Sequence, residues 1–222
     1  MKINIRYKDG LRPFVLLMII ILSASTAKAV QIMAQNNEKI QEGIAAEIIR
    51  FHVIANSDSP KDQELKYQVK DTILDMLTPL LSDVDNISES RTILINQLPA
   101  IEETAVNYIR SCGFDYSVKV TLEPAYFPMK VYGEFVFPPG TYEALRVQIG
   151  SASGKNWWCV MFPPLCLVDE TYSIVGEDSK KNLKNLLSEE EYDALLQKAP
   201  VKYKFKLLEL IKNLFSFDCK NN

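Results

Sequence analysis

The residues with the greatest capacity for chemistry stand together in the segment RFHVIANSDSPKDQ, residues 50–63. It contains His52, the only histidine of the chain, five positions before Ser57 and six before Asp58. A serine, a histidine and an acid within hydrogen-bonding distance of one another form the catalytic unit of many hydrolases. The composition of this segment therefore raises the question of whether it is a local catalytic triad.

The expected backbone conformation separates these groups. The run IIRFHVIA is rich in β-branched and aromatic residues, which predicts a strand with His52 on the face opposite Phe51. An extended chain advances about 3.3 Å per residue, so His52 and Ser57 should lie about 16 Å apart, whereas a nucleophile and its base must approach to about 3 Å. A local triad is excluded. We expect a partly buried imidazole that bonds to a backbone carbonyl or to Asn56.

The serines that follow the strand match the start of a helix instead. Ser59 is a favoured N-cap residue, Pro60 suits the first helical position, and Asp62 occupies the acidic position of a capping box. Apolar residues then recur at helical spacing from Leu65. A second helix is predicted over residues 88–111.

The pattern changes to strict alternation after Gly113, which predicts strands. KVYGEFVF and TYEALRVQIG are expected to form a hairpin turning at Pro138-Pro139-Gly140, with NWWCVMF as a further strand. The order of elements predicts an α+β fold: a largely antiparallel sheet with two main helices packed on one face, plus a C-terminal helical tail.

The N-terminus has the features of an export signal. A basic leader precedes the apolar run FVLLMIII, and small residues end at Ala27-Lys28-Ala29, so residues 1–29 are predicted to be a signal peptide. An uncleaved anchor stays open, because Val30, Ile32 and Met33 extend the apolar character. Residues 30–47 are then expected to be a spacer, 48–169 the main domain and 170–222 the helical tail. Within this tail, residues 202–217 form an amphipathic basic stretch that could contact a membrane surface.

The segment GKNWWCVMFPPLC, residues 154–166, concentrates unusual residues. Both tryptophans of the chain, Trp157 and Trp158, stand here beside Cys159 and Cys166. The two cysteines could form a disulfide in an exported chain, and two free thiols are the alternative. The tryptophans could either fill an edge strand against the core or, with Asn156, form an aromatic contact surface.

Several classes of function lack support in the sequence. The net charge of −3 argues against nucleic-acid binding, and no cysteine or histidine spacing suits zinc. No G-x-S-x-G, H-E-x-x-H or phosphate-binding glycine loop occurs. We therefore predict no catalytic residues, no metal site and no cofactor.

Three long segments carry a family resemblance. RFHVIANSDSPKDQELKYQVKD, FPMKVYGEFVFPPGTYEALRVQIG and GKNWWCVMFPPLC resemble the signature segments of the stage II sporulation protein R family, over about residues 48–170. The resemblance implies a protein made in the forespore and exported into the space between the two septum membranes. Its implied partner is a membrane-embedded aspartic protease that removes the pro-segment of pro-sigma-E in the mother cell. The candidate contact residues are His52, Asn56, Ser57, Asp58, Asn156, Trp157 and Trp158.

Two other classes of function stay open on the residues alone. One is a cell-envelope hydrolase acting in the septal space, with His52 or a carboxylate as its base. The other is a passive adaptor or lipid-surface protein that depends on the tail helix.

Overall fold

The computed structural model describes residues 8–165 and 175–196 of the 222-residue chain. The helices are α1 (Lys8–Glu47), α2 (Pro60–Leu81), α3 (Ile87–Ser111), α4 (Glu177–Leu186) and α5 (Glu189–Leu195). The strands are β1 (Ile49–Ile54), β2 (Val118–Phe127), β3 (Lys130–Tyr132), β4 (Phe135–Phe137), β5 (Gly140–Ile149) and β6 (Asn156–Phe162).

The main sheet has the strand order β2-β5-β1-β6. Strand β5 is antiparallel to β2 and parallel to β1, and β1 is antiparallel to β6. All six residues of β1 are buried, as expected for a strand with neighbours on both sides and layers on both faces. The prediction of an α+β fold with a largely antiparallel sheet is confirmed.

The predicted hairpin around Pro138-Pro139-Gly140 was wrong. KVYGEFVF is two short strands, β3 and β4, which pair with each other across a turn at Gly133, where φ is 55°. A glycine reaches this left-handed conformation without steric cost, so the turn lies inside what the sequence pattern suggested was one strand. Strand β5 then pairs with β2 and β1 rather than with β4.

Helices α2 and α3 cover one face of the main sheet. Alternate residues of the strands, such as Phe51 and Val53 on β1 and Leu145 and Val147 on β5, pack beneath them. Helix α2 begins as predicted, with Ser59 as N-cap and Pro60 in its first turn. The cluster buries the apolar side of both helices, and this burial is what holds amphipathic helices in place.

A second apolar cluster covers part of the opposite face. It joins the end of α1, the β3–β4 hairpin, α4 and α5 to the sheet. Ile44 and Ile48 are fully buried in it, alongside Phe127 and Tyr142. Residues 30–47, expected as a polar spacer, are therefore helical, and their last turns pack as part of the folded domain.

Helix α1 continues without a break through the predicted signal segment. The stretch Leu17–Glu47 is long and apolar enough to cross a membrane, and its apolar half is not buried by the rest of the chain. This is compatible with either a signal sequence or a membrane anchor.

Candidate functional site

The predicted polar residues after β1 form a closed hydrogen-bonded corner with the turn between β5 and β6. Asn56 is the link between the two segments. Its side-chain oxygen accepts the backbone N–H of Ser151 at 2.9 Å, and its carbonyl accepts the hydroxyls of Ser151 and Ser153, each at 2.7 Å. We call Asn56, Ser57, Asp58, Asp62 and the turn residues 151–155 the polar corner.

The Asp62 carboxylate lies at the centre of the polar corner and is only 5% exposed. It accepts hydrogen bonds from the Ser57 hydroxyl, the Asn56 amide at 3.0 Å and the Tyr116 hydroxyl at 3.1 Å. The bond from Ser57 is the largest cause that holds the pKa of Asp62 below its ordinary value, with Asn56 and Tyr116 acting in the same direction. An ionised carboxylate with this many donors is fully satisfied without a cation.

The capping-box prediction for α2 was wrong in one respect. The Ser59 hydroxyl accepts the backbone N–H of Asp62 at 3.2 Å, as an N-cap should. The Ser59 N–H, however, donates to the Ser57 hydroxyl oxygen at 3.1 Å and not to Asp62. The acid is engaged by the polar corner instead, because three other donors converge on it.

Asp58 and Gly154 complete the polar corner. The exposed Asp58 accepts the backbone N–H of Lys155 at 2.7 Å. The Gly154 N–H donates to the carbonyl of Ala55 at 3.0 Å, and a Cβ at Gly154 would lie 2.3 Å from the carbonyl oxygen of Ser57. The two segments thus approach at backbone distance, which requires a glycine.

The His52 side chain lies on the face of the sheet away from α2 and α3, with Phe127 and Trp158, and does not join the polar corner. Its ring packs edge-on against Trp158, 4.6 Å between centroids, and also contacts Phe127. The side chain is 4% exposed, and within residues 8–165 and 175–196 neither ring nitrogen has a hydrogen-bond partner. The predicted bond to a carbonyl or to Asn56 was wrong, because the Asn56 side chain is turned into the polar corner.

Burial therefore governs the ionisation of His52. Removal from water, followed by the positive charge of Arg146, lowers the pKa of His52 to about 4. The imidazole is neutral at physiological pH. It has no serine or thiol bonded to it in the described part of the chain, so it is not a candidate general base.

The tryptophans lie on opposite faces of β6, which is an edge of the main sheet. The Trp157 ring is edge-on to Phe51 at 5.5 Å on the helix side, with the Lys70 ammonium 4.9 Å from its centroid. The Trp158 ring contacts His52 and lies 5.5 Å from the Lys130 ammonium. Both are half-buried, so each fills space against the sheet and still presents part of its surface.

The candidate residues thus fall into two groups. Asn56, Ser57 and Asp58 meet at the polar corner, and Asn156 lies next to it, opposite Ile54 in the β1–β6 register. His52 and Trp158 share the opposite face of the sheet, and Trp157 alone packs towards the helices. The structure does not assemble them into one site.

Sequence reasoning missed Arg50, whose side chain is fully buried. Its guanidinium carbon lies within 6 Å of four ring centroids, at 4.5 Å from Phe127, 5.1 Å from Tyr142, 5.2 Å from Phe137 and 5.7 Å from Tyr132. Its Nε donates to the Cys159 carbonyl at 3.1 Å and its Nη2 to the Tyr132 hydroxyl at 3.3 Å. An arginine inside the apolar run IIRFHVIA was the available signal, since buried arginines are rare.

Some predictions concern residues that lie partly outside the described ranges. Cys159 is buried on β6, but Cys166 is not described, so their disulfide stays a prediction. The amphipathic stretch 202–217 also lies outside the described residues. Within the described part of the chain, no group of three or more acidic, histidine or cysteine side chains could hold a metal ion.

These features define an α+β domain joined directly to an N-terminal helix that could cross a membrane. The family model for stage II sporulation protein R matches residues 45–172, which include the polar corner and both tryptophans. A relative, the "Stage II sporulation protein R" of Bacillus subtilis (strain 168), is 35% identical over 199 residues, covering 82% of this chain and 88% of that protein. No solved structure matches. The chain belongs to the stage II sporulation protein R family.

Proposed function

We propose that this protein is an exported signal of sporulation that activates a membrane-embedded aspartic protease, which then processes pro-sigma-E in the mother cell. The observation that carries the proposal is the family match over residues 45–172, which contains every candidate contact residue. An N-terminal helix compatible with export or anchoring supports a role outside the cytoplasm. The site of action would be the space between the two septum membranes.

The activation would act through binding. A ligand shifts a conformational equilibrium only if it binds one state more tightly than the other. The protein would therefore prefer the active form of the protease, which we take to be a dimer, and would contact its extracytoplasmic part. Asp58, Asn156 and Trp158 keep part of their surfaces exposed, whereas the hydrogen-bonding groups of Asn56 and Ser57 are used inside the polar corner. The first three are the better contact candidates.

The hydrolase alternative gains no support from His52. Its ring is neutral, buried and edge-on to Trp158, so it has neither an ordinary pKa nor access to a substrate. Replacement of His52 by glutamine should change stability more than signalling. Loss of signalling by a folded H52Q protein that still binds the protease would favour the hydrolase.

The test is reconstitution of the reaction in membranes. The full chain is added to vesicles that contain the protease and pro-sigma-E, and cleavage is followed on a gel. Cleavage should depend on the added protein and should fall when Trp158 and Asn156 are replaced by alanine. Ile95→Ala on α3 is the matched control, since Ile95 is an exposed apolar residue on another surface. Undiminished cleavage by a folded W158A/N156A protein would remove these residues from the contact, and no cleavage with the unaltered protein would refute the proposed function.

A further inference from the structure

Three exposed apolar residues lie within six positions of one another: Tyr126 near the end of β2, Met129 on the connection to β3, and Val131 on β3. Tyr126, Met129 and Val131 are 65%, 61% and 54% exposed. Outside α1, the other large apolar residues exposed in the described part of the chain are Tyr67, Leu80 and Ile95, each alone on its helix face. Scattered single residues of this kind are ordinary, but a cluster marks a surface that meets something apolar. We call Tyr126, Met129 and Val131 the apolar edge.

The apolar edge lies at the end of the sheet where α1 joins the domain. In the β2–β5 register Tyr126 is opposite Thr141, and Phe127 is opposite Gly140. The Gln41 side chain of α1 donates to the carbonyl of Thr141 at 3.2 Å, and a Cβ at Gly140 would lie 2.4 Å from the Gln41 amide. A chain of direct contacts therefore connects α1 to the strand that carries Tyr126.

The apolar part of α1 ends almost where the domain begins. The exposed large apolar residues of α1 lie between Phe14 and Leu22 and again at Val30, Ile32 and Met33. Asn36 already donates to Glu190 of α5 at 3.3 Å. The three helical residues from Met33 to Asn36 correspond to about 4.5 Å, so no flexible linker separates the apolar part of α1 from the domain. From Phe14 to Met33 the helix is about 30 Å long, the thickness of a bilayer core, and the single Lys28 can extend its ammonium to the interface.

We propose that α1 holds the domain against the bilayer and that the apolar edge enters the headgroup region of the membrane that α1 crosses. A tyrosine, a methionine and a valine suit this partly apolar layer, where tyrosine is enriched. The contact is apolar rather than ionic, so it needs no anionic lipid. It goes beyond the proposed function, because it concerns the membrane that holds the protein and not the protease.

The orientation has a consequence for the polar corner. Strand β5 runs from Gly140, beside α1, to Ile149, next to the polar corner. Ten extended residues span about 33 Å, so the polar corner lies at the far end of the strands from the bilayer. Asp58 and Asn156 are then presented away from the anchoring membrane.

The test uses the full chain inserted in vesicles of zwitterionic phosphatidylcholine. A fluorescent amino acid replaces Met129 or, in a separate protein, the matched control Tyr67, which is exposed on α2. Lipids with a nitroxide near the headgroup, and aqueous iodide, then serve as quenchers. We expect several-fold stronger lipid quenching at position 129 than at position 67, and weaker iodide quenching there.

Each other outcome overturns the proposal. Equal iodide access at both positions would show that the apolar edge faces water. Protection of position 129 from both quenchers would show that protein covers it, either a second copy or another segment. A circular dichroism spectrum unchanged by the substitution establishes that the labelled protein is folded, and both replaced side chains are exposed enough to make this the expected result.

Discussion

The Tyr116 hydroxyl donates to the Asp62 carboxylate at 3.1 Å and so ties the segment before β2 to the first turn of α2. The two residues are 54 positions apart in the chain. With the bonds from Asn56 and Ser57, this contact makes one buried carboxylate the point where three segments of the fold meet. The polar segment after β1, whose composition suggested a catalytic site, thus mainly holds these parts of the fold together by hydrogen bonds.

Replacement of Asp62 by asparagine should destabilise the fold. The amide keeps the shape but loses the charge, and its NH2 group faces the donors of Ser57, Asn56 or Tyr116. We expect the free energy of unfolding to fall by about 2–3 kcal/mol, the usual cost of breaking a buried charged hydrogen-bond network. Urea denaturation measures it, with the exposed Asp75→Asn as control. Equal losses in the two variants would contradict a central role for Asp62.

Gly154 should tolerate no side chain. A Cβ there would lie 2.3 Å from the Ser57 carbonyl oxygen, a backbone atom that cannot turn aside. Gly154→Ala should therefore cost about 2–3 kcal/mol, because the turn must move away from β1 and stretch the bonds to Asn56.

Gly176→Ala is the matched control for Gly154→Ala. Among the described residues, a Cβ at Gly176 would meet nothing within 4 Å, although alanine is a poor N-cap for α4. We expect a loss of less than about 1 kcal/mol in thermal or urea unfolding. A Gly154→Ala protein as stable as this control would show that the two segments are not held at backbone distance.

The buried His52 makes stability depend on pH in a defined direction. Its pKa is lowered from 6.5 to about 4 in the folded protein, so the unfolded chain takes up a proton first as the pH falls. The stabilisation is complete above about pH 6.5 and is lost progressively down to about pH 4, by about 3 kcal/mol in total. The pKa of Asp62 is lowered from 3.8, so this residue changes the stability mainly at pH values below this window.

Urea unfolding measured between about pH 7.5 and pH 4.5 tests this pH dependence of stability. The effect can be assigned to one residue, since the chain has a single histidine. Replacement of His52 by leucine removes the titrating group and should flatten the profile in that window. A leucine variant with the same pH dependence as the unaltered protein would show that folding does not lower the pKa of His52.

Local signals in the sequence were sufficient for part of this structure. Ser59 and Pro60 determine the start of α2 because caps and proline act within one turn of the chain. The alternation of side chains along the predicted strand put His52 and Phe51 on opposite faces of the sheet, and the contacts of both residues show this arrangement. These features depend on neighbours in sequence and so could be predicted.

Other features depend on partners that only the folded chain brings together. The parallel pairing of β1 with β5 joins residues about 94 positions apart, such as Arg50 and Ala144. Within the residues that the structure describes, His52 has no hydrogen-bond partner, since the Asn56 side chain is bonded to Ser151 on a distant turn. No local pattern specifies either relationship, because each depends on long-range packing.

The surroundings of Arg50 lead to the final prediction. Its guanidinium lies among Phe127, Tyr132, Phe137 and Tyr142, and its hydrogen bonds go to a carbonyl and a phenol. Lysine cannot stack as a plane on these rings, and its compact ammonium is more strongly hydrated than a guanidinium and so costs more to bury. Arg50→Lys should therefore lower the free energy of unfolding by about 3–4 kcal/mol.

Arg50→Met should be less harmful, at about 2 kcal/mol, because methionine fills a similar volume and removes the buried charge. The remaining cost is the loss of donors to the Cys159 carbonyl and to Tyr132. Urea unfolding of both variants gives the ranking, and near-ultraviolet circular dichroism of the surrounding tyrosines reports whether their packing survives. A methionine variant that is less stable than the lysine variant would show that the positive charge itself stabilises this cluster.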